Sequence, residues 1–92
     1  CLDTCHAFAG GIELPDAATE ITAITGRIDL IHANDSQGGF DSGRDRHANF
    51  GNGTIDTDAL VGTIARTDAD VICETPFPGI IEDIALLRER LA

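Results

Sequence analysis

The chain has no lysine, methionine, tryptophan or tyrosine, and its only aromatics are four phenylalanines among 92 residues. Without lysine, every fixed positive charge rests on six arginines, set against sixteen acids, for a formal net charge of -10 at pH 7. That balance ordinarily argues against a nucleic-acid partner, because phosphates attract basic patches. Two circumstances offset it. Carboxylates bound to cations count in the formal charge but not in a loaded site. An Asp-rich, Lys-free, Ala- and Gly-rich composition is also that of a salt-adapted surface, acidic whatever it meets. No apolar run approaches the roughly 18 residues of a spanning helix, and none reads as a signal peptide. A soluble, cytoplasmic protein with no membrane partner is expected. The three cysteines are an odd number, and Cys1 and Cys5 lack the C-x-x-C spacing of a zinc or redox pair. Free thiols in a reducing compartment follow.

This length allows one domain at most. A start at Cys1 with no methionine suggests a piece of a larger one, so residues 1–92 are expected to form a single partial domain. "CLDTCHAF" reads as a buried strand end entering a loop. "PDAATEITAIT" predicts a helix opened by Pro15, with Ile21 and Ile24 on one face and Gly26 at its end. In "IDLIHAND", Ile28, Leu30, Ile31 and Ala33 suit a strand buried on both faces. Residues 35–53, rich in glycine and asparagine with no apolar period, predict a long loop, a kind that is usually functional or disordered. "TIDTDALVGTIART" regains a helical period through Ile55, Leu60 and Ile64, capped by Thr54 or Asp56. "ADVICETPFPG" predicts a further buried strand. "GIIEDIALLRERLA" predicts an amphipathic helix with Ile80, Ile81, Ile84, Leu87 and Leu91 inward and Glu82, Asp83, Arg88 and Arg90 outward.

Alternating apolar strands and helices imply a parallel sheet. Three such units cannot close an eight-unit barrel of about 250 residues. The expected fold is therefore α/β, about the last three βα units of a TIM (β/α)8 barrel. The polar residues fall where such a barrel does its chemistry, at the carboxyl ends of the strands. Asp3 and His6 follow the first strand, His32 and Asp35 end the second, Asp45 and His47 lie in the long loop, and Glu74 ends the third. Imidazole and carboxylate are the donors of zinc and similar divalent ions, and about three protein ligands serve one catalytic ion. Six or seven candidates imply two or more metals, an arrangement that clamps both attacking and leaving oxygens of a phosphoryl group. Each motif alone has an ordinary reading: D-x-x-H as a strand-end hydrogen bond, "DRH" as a solvated charge cluster, "ETP" as a strand terminus. Their coincidence at strand ends, using every histidine of the chain, favours a metal-dependent barrel enzyme.

Taken in order, "CLDTCH", "HANDSQGGFDSGRDRH" and "ETP" resemble the C-terminal part of the endonuclease IV family of apurinic/apyrimidinic endonucleases, across Cys1 to about Pro76. The resemblance implies a xylose-isomerase-like TIM barrel with three zinc ions that incises double-stranded DNA on the 5′ side of an abasic site. The products are a 3′ hydroxyl and a 5′ deoxyribose phosphate. It implies one zinc site from His6, Asp45 and His47, and most of a second from Asp3, His32 and Glu74. Asp3 and Glu74 then act in catalysis through the metal. A bridging Glu and two further His are implied upstream of Cys1, so this chain alone should be inactive and needs the remainder of its barrel as a partner; the complete enzyme should be a monomer. Asn34, Asp35 and Ser36 are implied to orient ligands or fix the loop, since metal-bound imidazoles need their other nitrogen held. Cys5 is read as a packing residue.

Three positions depart from the family pattern. Gln37 stands where a base is common, Asp41 precedes Ser42 where Gly is frequent, and Ala48 follows "DRH" where an acid is usual. These leave Arg44 and Arg46 as the bases of the loop, either contacting phosphate or pairing with Asp41 or Asp45. Two rival readings are a sugar isomerase or epimerase of related barrels, and a non-catalytic metal-binding remnant whose unpaired strand edges favour association. The pairing of "DTCH" with "DRH" argues against the isomerase, which has no use for a separate further metal site.

Overall fold

The computed structural model describes residues 1–14 and 16–91. Three short strands, β1 (Leu2–Asp3), β2 (Leu30–Ala33) and β5 (Asp70–Cys73), form a parallel sheet in the order β1-β2-β5. Its register sets Asp3 opposite His32 and His32 opposite Ile72. Helices α1 (Thr4–Ala9) and α2 (Asp16–Thr25) connect β1 to β2, α3 (Thr57–Ala65) precedes β5, and α4 (Gly79–Arg90) follows it. The expected α/β arrangement with parallel strands is present. The core runs through Leu2, Ala7, Ile31, Ala33, Leu60, Ile64 and Leu87, with Phe8, Leu14 and Val71 packed against it. It lies between the sheet and the helices.

Several local expectations change. The first motif does not enter a loop: α1 starts at Thr4, directly after the strand, because the Asp3 carboxylate accepts the His6 N–H at 3.0 Å and caps it. In α2 the buried residues are Ala17 and Ala18, while Ile24 is 84% exposed and Ile21 only partly covered. Ala17 and Ala18 face inward where α2 packs beside α3, and Ile24 points away from the core. Pro15, expected to open this helix, lies outside the described residues. Gly26, at φ 86°, ends α2 in the left-handed region, and its N–H reaches Thr22 O at 2.8 Å. Asp56, one of the two expected caps of α3, accepts the Ala59 N–H at 3.0 Å.

The stretch 35–53 contains an antiparallel ladder: β3 (Asp35–Ser36) pairs with β4 (His47–Ala48), Asp35 opposite Ala48 and Ser36 opposite His47. His47 is therefore a strand residue. What folds this segment is the buried Asp35 carboxylate. It accepts N–H groups from Ser36 at 2.7 Å and Ile55 at 2.9 Å through Oδ1, and from Gly51 and Gly53 at 3.1 Å through Oδ2. Neither apolar strand is buried on both faces throughout. In β2, Ile31 and Ala33 are buried and Leu30 and His32 half-buried, and β5 is half-exposed because it has no neighbour on its outer side among the described residues. In α4, Leu87 is buried but Ile81 and Ile84 are exposed for the same reason. Asp83, expected outside, is buried at 4% exposure and fully hydrogen-bonded.

Candidate metal centre

The parallel register brings Asp3 and His32 side by side at the carboxyl ends of β1 and β2, and Glu74 follows the last residue of β5. His32 Nδ1 lies 2.8 Å from Glu74 Oε1 and 3.8 Å from Asp3 Oδ2. One donor atom from each of these three residues lies within 4.8 Å of the others. Asn34, wholly buried, ties them together: its Nδ2 donates to Asp3 Oδ2 at 3.2 Å and its Oδ1 accepts the Glu74 N–H at 2.8 Å. Thr4 fastens the same strand ends, donating to Asn34 O at 2.7 Å and accepting the Asn34 N–H at 2.9 Å.

A second group forms where the β3–β4 hairpin folds over α1. His47 Nε2 lies 3.5 Å from Asp3 Oδ2 and 3.8 Å from Asp45 Oδ1, and His6 Nδ1 lies 3.2 Å from Asp45 Oδ2. His47 Nδ1 sits 3.2 Å from the Glu74 carbonyl oxygen. A carbonyl only accepts, so Nδ1 carries a proton in that contact, and Nε2 faces the two aspartates. The four-residue cluster within 4.8 Å here is Asp3, Cys5, Asp45 and His47, with His6 one contact further out on Asp45. Asp3 thus belongs to both groups. Cys5 is the member set aside in the sequence. It is fully buried and its thiol donates to Arg46 O at 3.5 Å. Burial pushes the thiol up to about 11, which keeps it protonated, whereas the thiolate is the metal-binding form. Its closeness to Asp3 and Asp45 comes from a short helix leaving β1, which the sequence does not announce. Although burial raises it, the Asp45 carboxyl is held below its usual range by the hydrogen bond from His6 and by the charge of His6 and His47.

Asp3, Asp45 and Glu74 converge with histidines as their ion-pair partners, and among the described residues no arginine pairs with any of them. Three carboxylates with His32 and His47 in these clusters, and His6 on Asp45, form a donor set suited to divalent cations of the zinc type. Of the residues read as supports, Asn34 touches two of the candidate ligands, while Asp35 and Ser36 fix the hairpin, Ser36 Oγ donating to Gly38 O at 2.9 Å. Arg44 and Arg46 are exposed, and neither pairs with Asp41 or Asp45.

Residues 1–90 match the family of xylose isomerase-like TIM barrels. The chain belongs to that family. In such a barrel the carboxyl ends of the strands carry the site, and β1, β2 and β5 turn theirs to one rim, where both groups lie. Within the family the chain is similar to endonuclease IV proteins. It is 59% identical over 90 residues to a probable endonuclease 4 of Mycobacterium tuberculosis (strain ATCC 25177 / H37Ra), covering 98% of this chain and 36% of that protein. It is 56% identical over 90 residues to a probable endonuclease 4 of Mycobacterium leprae (strain Br4923), with the same coverage of 98% and 36%. The crystal structure of endonuclease IV from Thermus thermophilus superimposes with a TM-score of 0.70 at 27% identity, over 99% of this chain and 38% of that one. The chain spans 36% of the length of these curated relatives.

Proposed function

We propose that the protein carrying this chain is a zinc-dependent endonuclease of DNA repair that hydrolyses the phosphodiester 5′ to an abasic site. The observation that carries this reading is the convergence, in a chain similar to endonuclease 4, of every histidine with Asp3, Asp45 and Glu74 at one barrel rim. Asp3, His32 and Glu74 hold one zinc, and Asp45, His47 and His6 hold a second, with Asp3 within reach of both. Ligands from the remainder of the barrel complete a three-metal centre, so these 92 residues alone have no activity. Divalent ions bound there would supply acidified water and offset charge on a phosphodiester.

The chain's own side chains do the positioning. His47 turns Nε2 inward because its Nδ1–H is spent on the Glu74 carbonyl, and Asn34 holds Asp3 and Glu74 at a fixed separation. Arg44 and Arg46, in no ion pair among the described residues, are the residues of this segment that contact DNA phosphate. The complete enzyme works as a cytoplasmic monomer on double-stranded DNA, and its acidic surface makes the salt range of activity part of the test. That test is incision of a duplex oligonucleotide bearing one abasic site, over a range of KCl, by the full-length protein. The expected result is cleavage on the 5′ side that a chelator abolishes and His47→Ala abolishes again. Zinc bound with no incision at any salt, and turnover of an aldose or ketose instead, would replace this reading with the isomerase.

A further inference from the structure

We infer that Asp83, on the first turns of α4, is a positioning residue for the metal centre, acting through Asn49 and Thr75. The inference rests on the metal reading of Asp3, His32, His47 and Glu74 given above. Asp83 is nearly fully buried, in a helix whose pattern put it outside, and it accepts three hydrogen bonds from two segments. Its Oδ2 takes the Asn49 side-chain amide at 2.9 Å and the Thr75 hydroxyl at 2.6 Å, and its Oδ1 takes the Phe50 N–H at 3.0 Å. Asn49 adds a bond of its own to Pro76 O at 2.9 Å.

The placement of these partners gives the bonds their meaning. Asn49 lies two residues after His47, and Thr75 directly follows Glu74. One carboxylate therefore clamps the segment leaving β4 to the segment leaving β5, and between them runs the bond that orients His47, from Nδ1 to Glu74 O at 3.2 Å. Separation of the two segments would lengthen that bond, because the Asn49 and Thr75 anchors hold the chain on either side of it. The imidazole then loses the partner that fixes its proton on Nδ1 and aims Nε2 at Asp3. The first residue of α4 shares in the clamp. A Cβ added at Gly79 would lie 2.5 Å from Asn49 Cγ, so the Asn49 amide occupies the space that a glycine leaves open.

The chemistry of a carboxylate is required at this position. Three donors point at two oxygens, and an amide in its place would turn one N–H₂ toward a donor. The test uses the full-length protein and compares Asp83→Asn, Thr75→Val, Gly79→Ala and His47→Ala with Leu87→Ala, a buried core change in the same helix. Zinc affinity is measured by competition with a chromophoric chelator under conditions where circular dichroism shows each variant folded, and the visible spectrum of the cobalt-substituted protein is recorded alongside. The expected result is a loss of zinc affinity of about tenfold in Asp83→Asn, the order found when groups behind metal ligands are removed. Thr75→Val and Gly79→Ala should show a smaller loss of the same kind, with a shifted cobalt spectrum in all three. Leu87→Ala should leave the spectrum unchanged. If Asp83→Asn does not fold, Thr75→Val, which removes one hydroxyl, carries the same comparison. Affinity and spectrum in Asp83→Asn and Thr75→Val no different from Leu87→Ala would overturn the clamp while leaving the metal reading intact, provided that His47→Ala loses zinc. Unchanged zinc binding in His47→Ala would overturn both.

Discussion

The two candidate metal groups are built in different ways. Asp3, His32 and Glu74 stand at the ends of three adjacent parallel strands, where the register sets Asp3 opposite His32 and Asn34 ties Asp3 to Glu74 just beyond β5. Asp45, His47 and His6 meet only because a hairpin closes over α1. The first group inherits its order from the sheet and a single buried amide, Asn34. The second depends on polar groups remote from it: Asp35 fastening the hairpin from within and Asp83 holding its far end. The lesson is that the ligands of a rim site can share a chemistry and differ in what holds them, so they should fail separately.

The largest effect is expected where the groups overlap. Asp3→Asn can still cap α1 but removes the carboxylate that faces both His32 and His47. In the full-length protein it should lower bound zinc, measured by atomic emission, at both groups, while the denaturation midpoint changes little. Retention of full zinc content would show that the groups do not share Asp3.

Next in size is Asp35→Ala, which leaves four backbone N–H groups without their acceptor. Each buried unsatisfied donor costs about 1–3 kcal/mol, so a loss on the order of 3 kcal/mol or more is expected by denaturant titration. Zinc should be lost from the hairpin group and kept by Asp3, His32 and Glu74. Equal loss from both would mean that the sheet group also rests on the hairpin.

The smallest effect concerns the thiols. Burial pushes both Cys5 and Cys73 up to about 11, with the Asp83 charge adding to Cys73, whereas Cys1 is exposed. At pH 8 an alkylating reagent should modify Cys1 first and the other two far more slowly, as mass spectrometry can follow. The sign of the linkage is set by a raised folded value for an acid. Its contribution to stability is complete below the unfolded value, near 9.0, and is lost as pH rises through about 11. Rapid alkylation of Cys5 at pH 8 would show that α1 opens readily and that the hairpin group is mobile with it.

What could be read from the sequence follows the same division. The parallel α/β arrangement and the strand-end placement of Asp3, His32 and Glu74 were legible because apolar runs and the acids and histidines ending them are local features. The hairpin was not, since its ladder is only two residues a side and its organiser is a single buried aspartate, which looks like any loop acid. Helix faces were misread for a different reason. Periodicity in α2 and α4 reports hydrophobic residues, but in α2 the buried residues are Ala17 and Ala18, and β5 has no outer neighbour among the described residues to cover Ile81 and Ile84. Asp83 was placed outward by that same periodicity, and only the fold supplies the Asn49, Phe50 and Thr75 donors that make its burial tolerable.

The most direct test of the two-group centre is anomalous diffraction at the zinc edge from crystals of the full-length protein. One peak is expected among Asp3, His32 and Glu74 and another beside Asp45, His47 and His6. Zinc bound elsewhere, with no anomalous density within coordination distance of these side chains, would contradict it.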